Sequence, residues 1–244
     1  MSAETLSSLP ISIEVKDVKL ARIIIRPDGI VWVVVPQGYD RYDVEQLLSK
    51  KREWIIQQLS QIEWYKKIAL SENFYLFGTP VRLNIKYHNA HSSKLTILNN
   101  KVILSIPKSR RGQEISILEK ELRKILRNKL NAILTQYSKL LGVKYNRVSI
   151  KKHKSKWGGS CSNKNNLNFN LALLSLPEDT LRYAVIHELV HLIEKRHTKK
   201  FWLIVSSLVP DYKRHEKILE EHWLIVWNNE IWRKILAIPE IEIY

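Results

Sequence analysis

The chain has 244 residues, of which 45% are hydrophobic and 26% charged, enough apolar material for one large domain or two small ones. Its single cysteine, Cys161, excludes an internal disulfide framework, and no apolar run reaches the roughly 18 residues that a membrane helix needs. The formal net charge is +16. That charge admits a polyanionic partner, nucleic acid above all, and admits equally a solvated basic coat. The N-terminal stretch MSAETLSSLPISIEVKDVKL lacks a basic start followed by an apolar block, so no signal peptide is expected. A cytoplasmic protein with no membrane partner is the expectation. The densest basic groups are KSRR at 108–111, KKHKSK at 151–156 and KRHTKK at 195–200.

Taken in order, "ARIIIRPDGIVWVVVP" holds two apolar runs joined by Pro27-Asp28-Gly29, a turn signature. Asp40 is placed to cap a helix, with Asp43 at its third position near the positive helix end. Val44, Leu47, Leu48, Ile55, Leu59 and Ile62 then recur at helical spacing, which predicts one helix. A second β region follows in "FYLFGTPVRLNIKYH" and "KLTILNNKVILSIP", where Asn99-Asn100 suits a hairpin turn. A long helix is predicted from about Gln113 to Leu141, with Leu118, Leu122, Ile125, Ala132, Ile133 and Leu140 on its buried face and Gly142 ending it. Residues 147–176 read as extended, with a turn near Asn163–Asn166. Pro177 and Glu178 open the next helix, and the tail from Tyr212 to Leu236 is amphipathic and Trp-rich. The expected division is a β-rich N-terminal region over 1–110, with one long helix, and a second domain over 111–244 with a helical tail.

The stretch "AVIHELVHLIEKRHTKKFW" concentrates three of the eight histidines. Residues four apart on a helix share a face, so His187 and His191 can aim their imidazoles at one point. Zinc takes such nitrogens at roughly 2.0–2.1 Å. Glu188, next to His187, can approach a water at the metal without ligating it, as in the HExxH arrangement. A catalytic zinc wants a third protein ligand, and His197 is the candidate. On a continuous helix His197 would lie about 9 Å along the axis from His191 and on the opposite face. It reaches the site only if the helix stops and the chain bends. Thr198 is a good N-cap for a new helix beginning KKFW, so the helix is expected to end near Glu194–Arg196 with His197 at the bend.

Three segments together, "WGGSCSNKNNLNFNLALLSLP", "YAVIHELVHLIEKRHTKKFW" and "VPDYK", resemble the YgjP-like zinc metallopeptidase family. More distantly they resemble the SprT-like and WLM metallopeptidases. The likeness is tight over about 150–215 and looser from about 20 to 150, where "RPDGIVWVVVP" and "REWI" carry it. It implies an α+β, zincin-like fold, one Zn2+ per chain on His187, His191 and His197, and Glu188 as catalytic base. Two departures stand out. Trp157-Gly158-Gly159-Ser160-Cys161 holds one glycine more than the family's WGS, which leaves the strand register open by a residue. Glu194 stands where metzincins with this histidine spacing have glycine, so the bend must be made without it.

Other residues are weighed on both sides. Trp157 either lines the cleft or anchors packing. Cys161 is either a redox site or ligand or, the reading favoured, a small buried side chain. In "NLNFNLAL", Asn168 and Asn170 face one way and Leu167, Phe169 and Leu171 the other. An edge strand here would bind an extended peptide through Asn168 and Asn170; an interior strand would leave them solvated. Tyr212 is a candidate proton donor to a tetrahedral oxyanion, or else a packing residue. His215 and His222 read as surface or packing residues, His153 as solvated, and Phe201 and Trp202 as the core face of the second helix. The expected function is hydrolysis of peptide bonds in a peptide or protein substrate by a zinc-activated water, with Glu188 as general base. The alternative is a nucleic-acid-associated protein, either a peptidase acting on DNA-bound proteins or a DNA-binding module with a non-catalytic zinc.

Overall fold

The computed structural model describes residues 9–71, 74–161 and 164–238, with the side chains of 68–71 and 160–161 outside that description. The fold is α+β, with seven α-helices and three small sheets among the described residues. The chain divides into two compact units, the first running to Ile68 and the second from Ala69 to Glu240. No helix among the described residues is long and apolar enough to cross a membrane.

In the first unit, β1 (Ile11–Val15) pairs parallel and β2 (Arg22–Ile25) antiparallel with the central β3 (Val31–Val35). The turn between β2 and β3 is the expected one, with Gly29 at φ +91° and the Asp28 carboxylate accepting from Ile30 N at 2.9 Å. Val31, Val33 and Val35 alternate onto one face, where they meet Val44, Leu48 and Ile55. These last come from α1 (Arg41–Lys50) and α2 (Arg52–Ser71). Asp40 caps α1 in a full capping box: its side chain accepts from Asp43 N at 2.9 Å, and Asp43 accepts from Asp40 N at 3.1 Å. The expected single helix is thus two, broken at Lys51, whose N–H turns back to the carbonyls of Leu48 and Ser49. Neither glycine nor proline marks this break, so apolar spacing runs through it unaltered.

The second unit begins with the sheet order β4-β5-β7-β6, made of β4 (Phe74–Leu76), β5 (Thr79–His88), β6 (Lys94–Leu98) and β7 (Lys101–Pro107). The hairpin at Asn99-Asn100 joins β6 to β7, with Asn99 at φ 50°. Helix α3 (Glu114–Leu141) ends as expected at Gly142, φ 65°. Its buried line is Leu118, Leu122, Leu126, Leu130 and Leu134, with Ile117 beside it. Of the expected face only Leu118 and Leu122 are on that line; Ile125 and Ile133 are half-buried, and Ala132 and Leu140 are exposed. A row at i+4 turns gradually around a 3.6-residue helix. The stripe turns because α3 meets different elements along its length.

The second sheet has the order β8-β10-β9, from β8 (Arg147–Lys151), β9 (Gly158–Cys161) and β10 (Asn166–Asn170). A 3-10 helix, Leu171–Ser175, follows with every residue buried. Then come α4 (Glu178–Val190), α5 (Lys199–Leu208), α6 (Tyr212–Asn228) and α7 (Glu230–Leu236). Trp232 on α7 is fully buried against Phe74, and its Nε1 donates to Tyr75 O at 2.9 Å. That contact ties the C-terminal helix to β4. The division proposed from sequence at 110/111 therefore falls inside the second compact unit.

Candidate metal centre

Three elements build the site. Helix α4 carries His187 and Glu188 in its last turn and His191 at its C-cap. The chain then closes in tight turns, Leu192 N to Leu189 O and Ile193 N and Glu194 N to Val190 O. No residue from 191 to 198 has positive φ, so the bend needs no glycine. The helix ends earlier than the expected Glu194–Arg196, since α4 stops at Val190. The restart is as expected: α5 begins at Lys199, and Thr198 accepts from Phe201 N at 3.3 Å.

This bend brings His197 back. One ligand-capable nitrogen from each of His187, His191 and His197 lies within 4.8 Å of the others, and His197 Nε2 is 3.0 Å from His187 Nε2. Three imidazole nitrogens on one tetrahedral zinc stand about 3.3 Å apart. The donor set and its spacing therefore fit a zinc ion. His191 Nδ1 lies 3.2 Å from Glu194 O, which places the ring proton on Nδ1 and leaves Nε2 free to ligate. The residue at the missing glycine thus contributes its carbonyl. Burial, with His191 and His197 nearby, pushes His187 down to about 3, so the ring is a neutral donor at neutral pH. Burial also lowers His191, against the bond to the Glu194 carbonyl.

Glu188 is buried on the adjoining side. Among the described residues its Oε2 has no hydrogen-bond partner, and burial pushes its carboxyl up to about 7, with Lys156 opposing. Its neighbour is β9. A Cβ built on Gly158 would lie 2.8 Å from Glu188 Oε1 and 3.0 Å from its Cγ. The second glycine makes no bulge, because Gly158 to Cys161 pair without a break against Phe169 to Asn166. The doubled glycine stands out in the sequence as a question of register; the close approach of Gly158 to Glu188 is what the fold adds.

Trp157 is a packing anchor. Its Nε1 donates to Leu219 O at 3.2 Å, and its ring meets Trp223 edge-on at 5.0 Å, fastening the start of β9 to α6. The edge strand beside Glu188 is β9, while β10 lies between β8 and β9. Asn170 is fully buried: Nδ2 donates to His153 O and Lys156 O, both at 2.8 Å, and Oδ1 accepts from Ala172 N at 3.1 Å. It holds the 153–156 loop and does not face solvent. Asn168 is half-buried. Tyr212 opens α6 and stacks on Trp202 at 4.9 Å.

His215 and His222 are both buried. His215 Nδ1 lies 2.9 Å from Thr180 Oγ1, and its ring stacks on Tyr183. His222 Nδ1 has no partner among the described residues. His153, expected in solvent, is half-buried with Nε2 enclosed. In the basic loop, Lys152 pairs with Glu119 at 3.1 Å, while Lys151 and Lys154 are exposed. The Cys161 side chain lies outside the described residues.

An α+β scaffold that closes three histidines around one point, with a buried glutamate on the same helix, has the layout of a metallopeptidase. Residues 19–222 match the family described as "YgjP-like, metallopeptidase domain", and the chain belongs to that family. One solved structure with detectable likeness is that of the metallopeptidase zymogen of Pyrococcus abyssi abylysin. It is 25% identical, covers 37% of this chain and 90% of that one, and has a TM-score of 0.35. No curated protein matches the chain significantly.

Proposed function

We propose that this metallopeptidase is a zinc enzyme that hydrolyses peptide bonds, with His187, His191 and His197 as ligands and Glu188 as general base. The observation that carries the reading is the buried Glu188 carboxyl, its Oε2 without a hydrogen-bond partner among the described residues, one residue from His187 in a three-histidine cluster. Zinc held there supplies Lewis acidity, polarising the scissile carbonyl and acidifying water. Glu188 accepts the proton of the attacking water as the new carbon–oxygen bond forms, and returns it to the amine nitrogen as the carbon–nitrogen bond breaks. Three protein ligands favour catalysis, since structural zinc is normally closed by four. Among the described residues β9 is the outer strand of its sheet and Gly158 on it adjoins Glu188, which supports an extended peptide adding along β9 as a further strand. Tyr212 is the proposed hydroxyl donor to the developing oxyanion.

The test is metal analysis of the purified protein beside Glu188→Gln, followed by digestion of a peptide library. One zinc in both proteins, with cleavage lost in the variant by ~10²-fold or more, is expected. A variant that loses its zinc would make Glu188 a ligand or a support. Undiminished cleavage would remove it from the mechanism.

A further inference from the structure

We propose that Phe201 and Trp202, the aromatic pair in the first turn of α5, are positioning residues that preorganise the three histidines for the metal; this rests on the zinc reading above. The ligands come from two unlike places. His187 and His191 are held by α4, but His197 sits exposed on a bend with no regular structure of its own. Something other than backbone regularity must fix its ring.

Phe201 is completely buried, and its ring centroid lies 4.9 Å from that of His187, 4.6 Å from His191 and 4.7 Å from His197. One side chain thus touches all three imidazoles as a common floor. Trp202 does the second task. It lies nearly parallel to His197, centroids 5.5 Å apart and planes at 23°. Trp202 is itself supported by Tyr212, stacked on it at 4.9 Å and also at 23°. The third ligand therefore leans on an indole that α6 backs. The Thr198 cap fixes the start of α5 one residue after His197, and with it the register of the aromatic pair to the ligand.

A ligand held in its bound geometry before the metal arrives loses less rotational freedom on binding. Partners that orient ligating histidines typically change metal affinity 10–100-fold when removed. Here the orienting group is an aromatic face, and offset or parallel ring contacts have a preferred geometry that an aliphatic side chain cannot reproduce.

The experiment measures zinc affinity by chelator competition in the wild type, Trp202→Leu and Trp202→Phe, with thermal midpoints of the metal-free proteins alongside. Trp202→Leu should weaken zinc binding about 10-fold or more, and Trp202→Phe should restore most of it. Metal-free midpoints should fall far less than zinc affinity does, since Trp202 is half-buried at the margin of the α4–α5 core. The visible spectrum of the Co2+ form should broaden in Trp202→Leu alone. Phe201→Leu, read only if it folds, should weaken zinc binding at least as much. Wild-type affinity and spectrum in Trp202→Leu would overturn the proposal. So would a loss matched by an equal fall in metal-free stability, which is general unfolding, or a loss that Trp202→Phe does not mend. A wild type that binds no zinc would overturn the zinc reading itself, before any variant is compared.

Discussion

Gly158 and Glu188 stand so close that no side chain fits between them: a Cβ on Gly158 would sit 2.8 Å from Glu188 Oε1, and 3.1 Å from the carboxyl carbon. Both groups are constrained, one by pairing with Phe169 across β9 and β10 and the other by burial on α4. Gly158→Ala must therefore push the carboxylate or the strand. Because misplacing a reacting group by about 1 Å can cost ~10²-fold, turnover should fall at least ~10-fold, with zinc content unchanged. Steady-state assays with metal analysis check this. Full activity in Gly158→Ala would show that the carboxylate has room to spare.

The ligand set makes a second prediction. His187→Ala, His191→Ala and His197→Ala should each lose most of their zinc in dialysed protein, because two histidines do not hold a catalytic zinc well. Inductively coupled plasma measurements give the stoichiometry directly. A full equivalent retained in any one variant would remove that residue from the set.

What the sequence made legible follows distance along the chain. His187, Glu188 and His191 share one helical turn, and the Thr198 cap announces the restart, so the bend and the return of His197 could be read from local chemistry. Gly158 and Glu188 are 30 positions apart, and no local signal ties them. The same limit explains Asn170. Alternation separated it correctly from Phe169, but whether the polar side met solvent depended on the 153–156 loop folding over it. The break at Lys51 and the turning stripe of α3 were hidden for another reason: apolar spacing gives a helix its period but not its neighbours.

Acid should weaken the fold through His222. Burial pushes its imidazole down to about 4, and no charged group opposes the shift. A histidine whose folded pKa is depressed contributes stability above its unfolded pKa, near 6.5, and that stability is lost as pH falls from there toward the folded value. By pH 5.5 the loss should be about 1 kcal/mol, and it should grow to about 3 kcal/mol below pH 4. Urea denaturation at pH 7 and pH 5.5 tests it, with His222→Leu expected to show a smaller drop than the wild type. Equal drops in the two proteins would assign the acid sensitivity elsewhere.

Asn170 provides the last prediction, because two roles for it lead to different measurements. A substrate-binding asparagine would raise KM when replaced and leave stability alone. The buried side chain seen here instead satisfies three backbone groups, donating to His153 O and Lys156 O and accepting from Ala172 N. Ala172 is fully buried, so its N–H has no ready substitute in water, whereas the two loop carbonyls lie nearer solvent. Leaving a buried donor unpaired costs roughly 1–3 kcal/mol, and losing the two bonds to the loop adds to that. Asn170→Ala should therefore lower stability by about 2–3 kcal/mol and speed proteolysis or hydrogen exchange in 152–157. That loop leads directly into Gly158, so turnover should fall with it through the same displacement of Glu188. A variant of unaltered stability with a raised KM alone would return Asn170 to the substrate.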